Sequence, residues 1–224
     1  MIDNVQRPTI AVLGGTGKEG RGLAYRWARA GYNVLLGSRS PEKAAQTAAE
    51  LNALLGGNAS VTGLSNNEAA AQAQVAVLTV PYAAHAETLE SVKTSLAGKM
   101  LIDVVVPLQT PKTKVQMPPA GSAAQEAKTI LGEGTEVAAA FHTIPHDALL
   151  GNESIECEVL VTGSGKQTRA EALKLVEAAG LVGWDAGPIE NSVVVEGFAS
   201  VLIYINKQHE TTHAGIRITG VARR

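Results

Sequence analysis

The sequence predicts an α/β protein: a doubly wound, mainly parallel sheet with a small C-terminal α/β extension. Three observations predict it. Short β-branched runs alternate with longer, Ala-rich stretches of helical period, the rhythm of βαβ units. The connections between them are short, and right-handed crossovers leave few topologies other than the doubly wound sheet. Glycine supplies 23 of the 224 residues while aromatic residues make up only 4%. That balance suits tight strand-to-helix turns and a backbone brought close to a ligand.

The elements follow in order. Thr9 to Leu13 is a buried-strand run, followed by a glycine cluster and a helical pattern to Ala30, which Gly31 ends. Asn33 to Leu36 reads as a second strand. Ser40-Pro41-Glu42 then opens a helix with an N-cap serine, proline at the first helical position and an acid in the first turn. It runs to about Leu55, where Gly56-Gly57 stops it. Ser60–Thr62, Val75–Val80, Met100–Val106 and Val137–Phe141 are further strands, and Ala84–Leu96 is an amphipathic helix. Prolines and glycines across Gln109–Ser122 predict a surface loop. Beyond residue 150 the reading is a strand at Cys157–Thr162, a helix at Thr168–Ala179, a short strand at Leu181–Trp184 and an apolar helix at Ser192–Gln208. The division expected is residues 1–150 as a dinucleotide-binding domain and 151–224 as a small α/β domain.

Composition narrows the function classes. A net charge of −2 argues against an electrostatic grip on nucleic acid or an anionic membrane surface. No apolar run approaches the roughly 18–20 residues of a membrane span, and Met1–Pro8 lacks the pattern of a signal peptide. The single cysteine, Cys157, excludes an internal disulfide and reads as a buried hydrophobe. The expectation is a cytoplasmic protein, in which Asn58-Ala59-Ser60 and Asn152-Glu153-Ser154 are glycosylation sequons on paper only. No metal site is expected: His209 and His213 stand four apart but have no acidic or thiol partner. Gly163–Thr168 resembles a P-loop superficially, but Gln167 stands where Ser or Thr must follow the lysine.

The most informative motif follows the first strand. Gly15, Gly17 and Gly20 match G-x-G-x-x-G at the opening of a helix, the fingerprint of a Rossmann-type dinucleotide site. Its glycines permit a tight turn, close approach to a pyrophosphate and close helix–strand packing, and the helix N-terminus offers free N–H groups. The end of the second strand, Gly37-Ser38-Arg39-Ser40, carries no acid to bind a ribose 2′-hydroxyl. Arg39, Ser38 and Lys43 instead suit a 2′-phosphate, which predicts NADP. Val80, Tyr82, Val106, His142 and His146 follow later strands, where such sheets collect ligands.

Taken with Gly20–Ala24, Val77–Pro81, Phe141-His142-Thr143-Ile144-Pro145 and Asp185–Ile189, these segments resemble the coenzyme F420-dependent NADP oxidoreductases across nearly the whole chain. The resemblance implies reversible hydride transfer between NADPH and the deazaflavin of coenzyme F420, with the C-terminal extension helping to form the F420 site. It implies that Thr16, Lys18 and Glu19, with the glycines, hold the pyrophosphate. Ser38, Arg39 and Lys43 would hold the 2′-phosphate, and Val80, Tyr82 and Val106 the nicotinamide. His142 and His146 would flank the ring-stacking site, with His142 the candidate catalytic residue. The chain departs from the family pattern at Tyr82, where members carry Trp, at Asp103-Val104, where they carry Ser-Pro, and at His146, where they carry Ala. A reductase of a flavin or another acceptor, or a catalytically silent NADP-binding redox sensor, would keep the same glycine loop and Ser38-Arg39 pair. The apolar helix around Val193–Ile205 predicts a homodimer.

Overall fold

The computed structural model describes residues 7–57, 60–151 and 154–222. The readings placed on the first six residues and on the asparagines of both sequons lie outside the described residues. The elements are β1 (Ile10–Leu13), α1 (Lys18–Arg29), β2 (Val34–Ser38), α2 (Pro41–Leu54), β3 (Val61–Ser65), α3 (Asn66–Gln72), β4 (Val75–Leu78), α4 (His85–Leu96), β5 (Met100–Asp103) and α5 (Ala123–Leu131). They continue with β6 (Glu136–Ala139), α6 (His146–Leu149), β7 (Val159–Gly163), α7 (Lys166–Ala178), β8 (Gly183–Pro188) and α8 (Ser192–Gln208). Single 3-10 turns span Tyr82–Ala84 and Ile189–Asn191.

The strands form one sheet in the order β3-β2-β1-β4-β5-β6-β7-β8. From β3 through β6 every pair is parallel. β7 then runs antiparallel to β6, and β8 parallel to β7. The chain leaves β1 first toward β2 and later toward β4, so the order reverses between β1 and β4. Doubly wound sheets bind their ligands at that switch point, beyond the carboxyl ends of the strands.

Successive side chains of β1 point to opposite faces, and both faces are covered. Ile10 and Val12 join a core with Leu23 and Trp27 of α1, Leu51 of α2 and Leu175 of α7. Ala11 and Leu13 join a second core with Ala69 of α3, Leu89 and Val92 of α4 and Ala127 of α5. This double burial explains why the inner strands read as continuous apolar runs. Residues beyond 150 extend the same sheet, and α7 reaches back to α1, where Trp27 Nε1 donates to the Leu175 carbonyl at 2.8 Å.

Several boundaries differ from the sequence expectation. The strand expected over Met100–Val106 ends at Asp103, whose Oδ1 accepts the Val105 N–H at 2.9 Å in place of a ladder bond. The strand expected to reach Phe141 ends at Ala139, and Phe141 adopts a left-handed φ of 71°. β7 begins at Val159, leaving Cys157 half-buried ahead of it rather than inside a strand. Three helices, α3, α5 and the single turn α6, appear where no element was expected.

Candidate active site

At the switch point lies a cleft of about 900 Å³. Its floor is the loop between β1 and α1. The left-handed turn falls on Gly14 (φ 72°), one residue before the first glycine of the fingerprint, and a Cβ there would lie 2.5 Å from Val80 Cγ1. Gly14 N donates to Asn66 Oδ1 at 3.1 Å, and Gly15 N to the Gly37 carbonyl at 2.9 Å, so α3 and β2 fix the loop. A Cβ on Gly20 would sit 2.6 Å from the Gly15 Cα, so only glycine lets α1 approach β1 this closely. Gly15 and Gly20 are therefore the packed underside of the loop rather than its lining.

The surface left open is the part that faces a ligand. Gly17 is the N-cap of α1 and has no side-chain cap, so the first N–H groups of the helix stay available for an anion. Thr16, Gly17, Lys18 and Glu19 all line the cleft. Burial pushes the Glu19 carboxyl up to about 8, so it is uncharged at neutral pH beside the place for a phosphate. Lys18 Nζ meets Asp147 Oδ1 at 3.1 Å, and the same oxygen stands 3.3 Å from His146 Nε2, tying α1 to α6 across one margin of the cleft.

At the far end of the cleft, β2 delivers Ser38, Arg39 and, on the first turn of α2, Lys43. Ser40 caps α2 by accepting the Lys43 N–H at 3.4 Å, and Ser38 Oγ accepts the Ser40 N–H at 3.1 Å. These bonds order the turn from which the two cations project. Both side chains are exposed, and neither forms an ion pair with any described residue. They present positive charge around a buried serine, the geometry a 2′-phosphate requires.

The other end is apolar, walled by Val80, Tyr82, Val105 and Val106. Of the residues predicted from sequence, the cleft brings together Thr16, Gly17, Lys18, Glu19, Ser38, Arg39, Lys43, Val80, Tyr82, Val106 and His146. His142 is not among its lining residues. It is 7% exposed, and neither ring nitrogen has a hydrogen-bond partner. Burial lowers its pKa to about 4, against the opposing pull of the Asp103 charge, so it is neutral.

Sequence reasoning missed what stands behind Tyr82. The Tyr82 hydroxyl donates to Glu126 Oε2 at 2.9 Å, and Glu126 Oε1 lies 2.8 Å from His85 Nδ1. His85 Nε2 lies 2.7 Å from Asp103 Oδ2. His85 and Asp103 are fully buried. Nearby, the buried Glu196 accepts the N–H groups of Ala123 and Ala124 at 2.7 and 3.1 Å, capping α5 from α8. Burial first, then the Asp103 charge, pushes Glu196 up to about 8.

Comparison with known proteins agrees with this geometry. Residues 9–107 match the family model described as NADP oxidoreductase, coenzyme F420-dependent. The F420-dependent NADP reductase of Methanothermobacter thermautotrophicus is 40% identical over 220 residues, covering 95% of each chain. That of Methanocaldococcus jannaschii is 33% identical over 221 residues, covering 95% of this chain and 98% of its own. A solved structure from Arthrobacter sp. FB24, provisionally named an F420-dependent NADP reductase, superposes with a TM-score of 0.79 at 25% identity, covering 95% of this chain and all of that one. With relatives 33% and 40% identical over 95% of its length, the chain belongs to the coenzyme F420-dependent NADP oxidoreductase family.

Proposed function

We propose that the chain transfers a hydride, reversibly, between NADPH and the deazaflavin ring of coenzyme F420. The observation that carries this reading is one continuous cleft with free helix amides in the middle, unpaired cations at one end and aliphatic and aromatic walls at the other. The two redox partners supply the chemistry themselves, since reduction of the deazaflavin takes up a hydride and a proton. The protein orients and shields. Arg39, Lys43 and Ser38 hold the 2′-phosphate, and Thr16 to Glu19 with the α1 amides hold the pyrophosphate. That anchoring lays the nicotinamide against Val80, Tyr82 and Val106, where holding two rings face to face supplies most of the rate.

Two further parts belong to the same reading. His142 is the one described side chain with buried polar atoms and no partner, and such an imidazole is explained by a ligand that completes its hydrogen bonding. We assign it the polar contact to the deazaflavin, and His146 the margin of that site. Residues 151–224 form the remaining wall. The exposed face of α8, with Val194 59% and Tyr204 52% exposed, is assigned to a second subunit, and light scattering at twice the chain mass is the expected result.

The test is direct. Purified protein with NADPH and oxidised F420 should bleach the deazaflavin at its long-wavelength band, one equivalent per NADPH consumed. His142→Leu should lower that rate at unchanged NADPH affinity. NADPH binding with no bleaching would overturn the assignment of F420.

A further inference from the structure

We propose that half-buried Glu126 and fully buried His85 and Asp103 form a positioning chain that fixes the Tyr82 ring as a wall of the cleft where the two redox rings meet. The proposal rests on the reading that this end of the cleft is the hydride-transfer site.

The geometry is a closed loop of contacts that starts and ends on the cleft wall. It leaves the cleft at the Tyr82 hydroxyl and passes through Glu126 on α5, His85 on α4 and Asp103 at the end of β5. It returns through Asp103 Oδ1, which accepts the N–H of Val105, itself a lining residue. Four separate elements are thus locked to one another at the edge of the apolar end. The Tyr82 and His85 rings lie 5.8 Å apart at 30°, so His85 supports the tyrosine from beneath as well as through Glu126.

Burying the Asp103 carboxylate and an imidazole, with a half-buried second carboxylate beside them, is expensive unless each is paired and its remaining hydrogen-bonding capacity is used. Here both nitrogens of His85 face a carboxylate, and only the imidazolium can donate to two acceptors at once. The groups facing His85 are Asp103 from β5, Glu126 from α5 and Tyr82 from the 3-10 turn, with Glu196 of α8 within electrostatic reach. His142, after β6, also feels the Asp103 charge. Burial opposes the imidazolium, but the bonds to Asp103 and Glu126 and their charges outweigh it, so the His85 pKa lies above the usual range. Loss of that proton leaves one N–H between two carboxylates, and one contact of the chain is broken.

An apolar cluster would fill the same space without charge, and an arrangement that ends on the hydroxyl of a cleft-lining ring is explained by the precision it gives that ring. A displacement of about 1 Å at a hydride-transfer site is enough to lower the rate severalfold or more.

The experiment compares wild type, Tyr82→Phe, Glu126→Gln and Glu196→Gln as full-length proteins. Tyr82→Phe keeps the ring and removes only its tether, so folding is not at issue. It should lower kcat for F420 reduction by about threefold to tenfold, with the NADPH dissociation constant unchanged. The wild-type kcat should fall at alkaline pH, and Glu126→Gln, which removes one counter-charge of His85, should move that limb toward lower pH. Glu196→Gln should leave it in place. Without substrates, 15N NMR should find both ring nitrogens of His85 protonated at pH 7, with the midpoint lowered by Glu126→Gln. A neutral His85 at pH 7, wild-type kcat in Tyr82→Phe, or a limb that follows Glu196→Gln instead would overturn the positioning chain. An active wild type with an unaffected Tyr82→Phe removes this inference alone, whereas a wild type that never bleaches F420 removes the reading beneath it as well.

Discussion

Arg26, buried in the middle of α1, donates its Nε hydrogen to the carbonyl of Leu149 at 2.7 Å. The rest of the guanidinium reaches the carbonyls of Ala148 and Ala179, each at 3.0 Å. One side chain therefore joins the helix below the glycine loop to the end of α6, which carries His146, and to the end of α7. Removing it takes this donor from three backbone carbonyls, two of them in buried contacts. Arg26→Leu should lower stability by about 3–5 kcal/mol, read from the midpoint of denaturant unfolding. Arg26→Lys should recover little of this, because an ammonium is a point donor and the three carbonyls need a planar fork. A lysine variant as stable as wild type would refute the argument.

Cofactor choice should reside in the β2–α2 turn. Arg39→Ala should weaken NADPH by about 1.5 kcal/mol, roughly tenfold, the low end for a hydrogen bond to a charged group at an exposed site. Ser38→Asp should weaken it more, since it sets a carboxylate against the 2′-phosphate. Neither change should affect NADH to the same degree. Titrating both dinucleotides against each variant checks this, and equal losses would remove the 2′-phosphate from this corner.

The pH dependence of NADPH affinity should trace to Glu19. Its carboxyl, held neutral by burial, titrates at about 8. Below that pH it is no obstacle to the pyrophosphate; above it, a carboxylate faces the phosphates, and bound NADPH pushes the pKa higher still. NADPH should therefore bind well at pH 7 and lose affinity as pH rises through 8 to 9. Glu19→Gln should match wild type at pH 7 and flatten the alkaline loss. Calorimetric titration at pH 7 and pH 9 separates the two, and a variant with the same alkaline loss would assign the effect elsewhere.

Much of the nucleotide half is legible in the sequence because its signals are local. Three glycines at fixed spacing, a capped α2 and a serine–arginine pair all lie within 30 residues of one another, and Gly17, Ser38 and Arg39 meet on one cleft that Gly15 and Gly20 underlie. Two of the missed helices also had local signals. Ser65 and Glu68 form a reciprocal capping box at α3, and Ser122 caps α5 by accepting the Gln125 N–H at 3.0 Å. Each lies beside a segment whose loop character dominates a linear reading. The support behind Tyr82 had no such signal. His85, Asp103 and Glu126 come from three elements whose spacing carries no periodicity, and only the parallel order of β4 and β5 with their helices brings them together. The expectation that His142 faces the ligand fails to show in the lining of the cleft for a related reason. A left-handed Phe141 turns the chain just before it, and backbone direction at a single residue is invisible in composition.

The reversal at β7 has a consequence for how such a protein can diversify. Because β7 runs against β6, the connection from Ala140 to Glu158 leaves and re-enters the sheet on the same edge, the edge that carries the cleft. Its length can change without threading a new crossover and without touching the β2–α2 turn, provided α6 within it keeps its hold on α1 through Lys18 and Arg26. The same reversal sends the P-loop-like stretch after β7 to the opposite edge, where Thr168 Oγ1 donates to Glu136 at the start of β6. Variation in the outer part of this returning loop is thus topologically separate from the β2–α2 turn, which lies on the other side of the switch point.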